Sequence, residues 1–133
     1  MLFDRPEGVY SEFDKAVKSF PRNGGPEKLL VLNEQGLPIM QYEQGKGATE
    51  EIDEKFVALG TNIMRNLYHQ ADALEGRKPQ RIALFFEDEI ISLDWIKPFI
   101  LIITWPRAAI KLSNSMDSSY LSRLIQTLQE ELT

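Results

Sequence analysis

Phe99-Ile100-Leu101-Ile102-Ile103-Thr104-Trp105 is apolar at almost every position. A strand with one wet face alternates apolar and polar side chains, so a strand without that alternation needs cover on both faces. This segment is therefore expected in the middle of a sheet with helices on both sides. Pro98 separates it from a strand at Ile90 to Trp95, and Glu87-Asp88-Glu89 is a polar turn joining that strand to another at Arg81 to Phe86. Downstream, Leu121, Leu124, Ile125, Leu128 and Leu132 form one apolar stripe on a last helix, about Asp117 to Leu132.

Upstream, Phe13, Ala16, Val17 and Phe20 recur at helical spacing until Pro21 and Asn23-Gly24-Gly25-Pro26, which predicts a first helix over roughly Val9 to Phe20. Lys28 to Asn33 and Leu37 to Tyr42 read as two strands joined by Glu34-Gln35-Gly36, where Gly36 can supply a positive φ. Pro38 cannot donate to a ladder and points to an edge position for the second of them. Glu43 to Gly47 reads as a loop. A long middle helix then begins near Thr49 as N-cap, with Glu50, Glu51 and Asp53 at its positive end, and stops at Gly76-Arg77-Lys78-Pro79. The expected fold is α+β: a five-stranded antiparallel sheet with the middle helix on one face and the first and last helices on the other.

The chain has 133 residues, 20 acidic against 15 basic, a formal charge of -5, no cysteine and 43% apolar residues. That length suits a single domain spanning 1–133, with its core over about 9–132. Phe99 to Ile103 is far short of the roughly 20 residues of a membrane-spanning helix. Met1-Leu2-Phe3-Asp4-Arg5-Pro6 has no signal-peptide core, and Leu2 stands where a myristoyl anchor needs glycine. A pI near 4.9 without a basic stripe argues against nucleic acid as partner. The absence of cysteine removes disulfides, thiol nucleophiles and thiolate zinc sites, and a cytoplasmic location is expected.

On a wheel at about 100° per residue, Ile52, Phe56, Leu59, Ile63, Leu67 and Leu74 of the middle helix fall within about an 80° stripe, sufficient to face a sheet. Val57, Gly60, Met64 and Tyr68 form a second stripe beside it, widening the apolar arc to roughly 180°. A second stripe is expected where a helix also meets another chain. A mid-helix glycine costs about 1 kcal/mol relative to alanine, and close approach of a neighbouring element returns that cost. In a two-fold dimer that element is the partner's copy of the helix. The edge strand at Arg81 to Phe86 carries Ile82, Leu84, Phe85 and Phe86, and pairing it with its copy removes an aggregation hazard. The expected dimer interface is Val57, Gly60, Met64, Tyr68, Ile82, Leu84 and Phe86. The alternative is that Val57, Met64 and Tyr68 pack within the chain.

No catalytic, metal-binding or cofactor-binding residue is expected. Gly45-Lys46-Gly47-Ala48-Thr49 lacks P-loop spacing, because no Gly-Lys-Ser/Thr triplet is present. His69, the one histidine, projects from the polar arc with no second histidine to complete a metal site. Glu87, Asp88 and Glu89 are adjacent on a turn and point apart, unlike acid/base pairs drawn from separate elements. Ser113, Ser115, Ser118, Ser119 and Ser122 are better explained as caps at the start of the last helix than as nucleophiles.

The element order, the hairpin Leu29-Leu30-Val31-Leu32-Asn33-Glu34-Gln35-Gly36-Leu37-Pro38-Ile39 and the long amphipathic helix after it resemble the roadblock (dynein light-chain roadblock, Ragulator-type) family over about residues 9–132. The resemblance implies a homodimer or a heterodimer with a paralogue, formed through the middle helix and the strand after it. It further implies a non-enzymatic scaffold that binds a small Ras-like GTPase and modulates its nucleotide cycle or localisation. Two readings from other classes stand beside it. An acidic dimeric secretion chaperone would place three strands before the middle helix and two after. A small-ligand sensor domain would want a polar group inside the core, where Phe99 to Trp105 offers almost none.

Overall fold

The computed structural model describes residues 11–20, 25–49, 51–70, 73–77, 79–107 and 119–132. The expected helix starts at Val9 and Asp117, the stop at Pro21 to Gly24, and Glu50, Lys78, Ser113, Ser115 and Ser118 lie outside them, as do the side chains of Tyr68 and Ser119. Among the described residues the elements run α1 (Ser11–Lys18), β1 (Lys28–Asn33), β2 (Pro38–Glu43), β3 (Gly47–Thr49), α2 (Glu54–His69), β4 (Arg81–Phe85), β5 (Glu89–Ile96), β6 (Phe99–Pro106) and α3 (Ser119–Leu132).

The strands form one antiparallel sheet in the order β3-β2-β1-β6-β5-β4. β6 lies between β1 and β5, and every residue from Phe99 to Trp105 is buried. Its two faces enter separate cores. Phe99, Leu101, Ile103 and Trp105 pack with Leu29, Val31, Met40, Tyr42 and Ile90 under α1 and α3. Ile100 and Ile102 pack with Leu30, Leu32, Ile91 and Leu93 under α2. Burying side chains of this size stabilises by roughly 1.5–3 kcal/mol each, which makes the two-faced strand the mechanical centre of the domain. Polar groups within it are bonded: the Trp105 indole N–H donates to Ser92 Oγ at 2.8 Å, and the Lys28 N–H to Thr104 Oγ1 at 3.0 Å.

The sheet has six strands where five are expected, because Gly47-Ala48-Thr49 pairs with Gln41 to Glu43. The expected loop is a tight turn: the Lys46 N–H donates to the Glu43 carbonyl at 2.9 Å, and Gly45 and Gly47 take positive φ. β2 is consequently not the edge strand along its whole length. Pro38 opens β2, however, and β3 reaches only Gln41 to Glu43, so the proline still lies where no outer ladder bond is made. The extra strand also puts three strands before α2, so only the three strands after it still separate this topology from the chaperone arrangement.

The N-cap of α2 is Asp53 rather than Thr49. Asp53 Oδ1 accepts the Lys55 N–H at 2.9 Å, whereas Thr49 Oγ1 accepts the Glu51 N–H at 3.0 Å in a preceding turn. Gln41 Oε1 accepts the Asp53 N–H at 2.8 Å and ties the helix start to β2. The helix ends at His69, short of the expected Gly76, and Leu74 lies in a later turn where Glu75 and Gly76 have positive φ.

Candidate interaction surface

The line along which α2 meets the sheet is Phe56, Gly60 and Met64, all buried, with Val57, Leu59, Ile63 and Leu67 half-buried on its flanks. A Cβ built on Gly60 would stand 1.9 Å from Cδ1 of Ile102, a side chain of the same chain's central strand. The glycine thus lets α2 approach its own sheet. Gly60 and Met64, expected at a subunit contact, are buried against the chain's own sheet. The apolar surface that remains accessible on the helix belongs to its flanks.

β4 forms the free end of the sheet opposite β3, pairing with β5 alone among the described strands. Ile82 and Leu84 lie opposite Leu93 and Ile91 and share the α2 face, where both are half-buried. Phe86 falls just past the strand end, its N–H donating to the Glu89 carbonyl at 2.8 Å, and remains 46% exposed. Phe85, on the opposite face, is 58% exposed, with the Arg107 guanidinium 5.6 Å from its ring. Adjacent strands and helix flank therefore place Leu59, Ile63, Ile82, Leu84 and Phe86 around one side of the α2 layer. The wheel assigns Leu59 and Ile63 to the sheet-facing stripe, and Phe85 is read in the edge strand without being placed at the expected interface.

The other chemical candidates are dispersed. Gly45-Lys46-Gly47 belongs to the β2–β3 turn rather than to a helix start, and Lys46 Nζ pairs with Glu43 at 3.1 Å. His69, Glu87, Asp88 and Ser122 are exposed, and Glu89 is half-buried. Among the described residues no three His, Asp or Glu side chains converge as a metal site would require. No described helix is long and apolar enough to cross a membrane. Beyond the N-terminus of α2 an open groove of about 470 Å³ is lined by Glu27, Lys28, Glu43, Asp53, Phe56 and Glu89, among others. Burial first, then repulsion from Glu89 and Asp88, raises the Glu27 carboxyl above the usual glutamate range.

An antiparallel sheet clasped between α2 on one face and α1 with α3 on the other is the fold of a roadblock-type domain. The solved structures that share it include MglB of Myxococcus xanthus, with a TM-score of 0.67 at 10% identity over 97% of this chain and 98% of that one. An MglB solved in a tetrameric arrangement gives 0.67 at 12% identity over 96% and 92%. The Roadblock/LC7 domain from Streptomyces avermitilis gives 0.57 at 13% identity over 90% and 92%. No family model matches the sequence, and no curated protein matches it. At such identities the likeness establishes the fold.

Proposed function

We propose that this chain is a non-catalytic, dimeric adaptor that binds a small Ras-like GTPase and modulates its nucleotide cycle or localisation in the cytoplasm. The observation that carries the reading is the edge strand β4, which pairs only with β5 among the described residues, with Ile82 and Leu84 half-buried and Phe86 exposed beside the apolar flank of α2. An edge strand of this kind is covered most simply by its own copy, or by a paralogue's, running antiparallel across a two-fold axis. Such pairing would join two sheets and bring Leu59 and Ile63 of both helices towards the axis. The interface proposed is therefore Leu59, Ile63, Ile82, Leu84 and Phe86, whereas Val57 lies on the opposite flank of the helix. The tetrameric arrangement of an MglB supports self-association as a property of the fold. In the dimer the polar faces of both α2 helices, with Lys55, Asn62, Arg65 and His69 exposed, would form a platform broad enough for a folded partner. An adaptor of this kind acts through differential affinity for the partner's nucleotide states and needs no nucleophile of its own.

The test is affinity capture from the native cell extract with the immobilised chain, repeated with GDP and with a non-hydrolysable GTP analogue. The reading expects a small GTPase whose retention differs between the two nucleotides. Retention of none, or capture of an unfolded secretion substrate instead, refutes it.

A further inference from the structure

α2 leaves part of its sheet face bare. At its N-terminal end the cross-strand row Glu43, Lys28, Thr104 and Ile91 forms the floor of the open groove, since Lys28 pairs with Glu43 and Thr104, and Thr104 with Ile91. Phe56 and Leu59 give the helix side of the groove an apolar wall, and Glu27 and Glu89 add carboxylates to its lining.

The charges of this groove are unbalanced. Lys28 Nζ lies 3.7 Å from an Asp53 carboxylate oxygen and 6.0 Å from the centre of the Phe56 ring, so its charge is already engaged. Glu43 is engaged by Lys46. Among the described residues Glu27 and Glu89 remain, with Lys55 as the one further cation lining the groove and Asp88 adding to the repulsion on Glu27. An apolar wall under unneutralised carboxylates suits a side chain with an aliphatic stem and a planar cationic head, which can bond two oxygens at once. We propose that this groove is the docking site for an arginine-bearing extended segment of a protein partner, its stem against Phe56 and Ile91 and its guanidinium between Glu27 and Glu89. The inference rests on the adaptor reading only in taking the partner to be a protein, and it adds the chemistry by which that partner is held.

The test uses the full, isotopically labelled chain and a short acetylated peptide carrying two arginines. Amide shifts are expected at Lys28, Phe56, Glu89 and Ile91, and the Glu27 carboxyl should titrate at lower pH with peptide bound, because linkage is reciprocal. E27Q and E89Q should each weaken binding roughly fivefold, as loss of one partly screened charge pair implies. K55Q, which removes the competing cation, should strengthen it. Shifts spread equally over Glu12 and Glu130 on the far face, binding unchanged in E27Q/E89Q, or no binding at millimolar peptide overturns the proposal. A chain that takes the peptide in the groove yet captures no GTPase keeps this inference and loses the adaptor reading. Capture of a GTPase without peptide binding in the groove does the reverse.

Discussion

Replacing Gly60 with alanine sets two effects of opposite sign against each other. Alanine is the better helix former by about 1 kcal/mol, so a glycine facing solvent or a loose contact would gain that stability on substitution. In this fold the new methyl would lie 1.9 Å from Ile102 Cδ1 and 3.3 Å from Cγ1. Ile102 has little room to turn away, because its cross-strand neighbours Leu30 and Leu93 are themselves buried. Overpacking of this kind costs about 1–3 kcal/mol, so G60A should be destabilised by up to about 2 kcal/mol net. For a chain of this length that is a fall in melting temperature of up to roughly 7 °C. Ile102→Val removes the clashing methyl at a cost of about 0.5–1.5 kcal/mol on its own. The double variant should then be more stable than the sum of the single effects by about 1 kcal/mol or more. Urea unfolding followed by circular dichroism, at several protein concentrations to separate folding from association, measures all three. A G60A protein stabilised by about 1 kcal/mol, with effects additive to those of I102V, would refute the placement of Gly60 against its own sheet.

Four further substitutions probe separate regions of the fold. Leu84→Glu, at a half-buried edge position, should lower the oligomeric mass in light scattering while leaving the far-ultraviolet spectrum intact, whereas Met64→Glu should unfold the chain, because a carboxylate would enter the core. Ser92→Ala leaves the buried Trp105 N–H without its 2.8 Å acceptor and should cost about 1–3 kcal/mol in chemical denaturation. Glu131 accepts the Phe13 N–H at 3.2 Å, yet its burial dominates and raises its carboxyl above the usual glutamate range. The folded state therefore holds that proton to higher pH than the unfolded one does, and the associated stability, full at low pH, is lost as pH rises through the folded value. Glu131→Gln keeps an acceptor for Phe13 and should flatten that decline in urea midpoints measured from about pH 4 to 7.

The central strand was legible because an unbroken apolar run has one physical solution, and the apolar stripes of α1 and α3 were legible because each packs on a single side. β3 was not: Gly47-Ala48-Thr49 is too short to show a period of two, and it becomes a strand only because Gln41 to Glu43 offer an unpaired ladder. Thr49 and Asp53 are both competent caps, and the bond from Asp53 N–H to Gln41, twelve residues back, is part of what selects the second. The wheel found the full apolar arc of α2 but divided it wrongly. A helix lies closest to a sheet where its side chain is smallest, so the contact line runs through Gly60, and the larger Leu59, Ile63 and Val57 are displaced to the flanks. The groove at Glu27 and Glu89 has no sequence signature, since its lining comes from loops, strands and a helix end far apart in the chain.

Everything proposed for α2 and β4 depends on a second chain covering them. Multi-angle light scattering of the purified protein at micromolar concentration measures this directly. A dimer gives twice the chain mass of 15.3 kDa, falling towards the single value in Leu84→Glu, whereas 15.3 kDa for the unmodified protein would rule the dimer out.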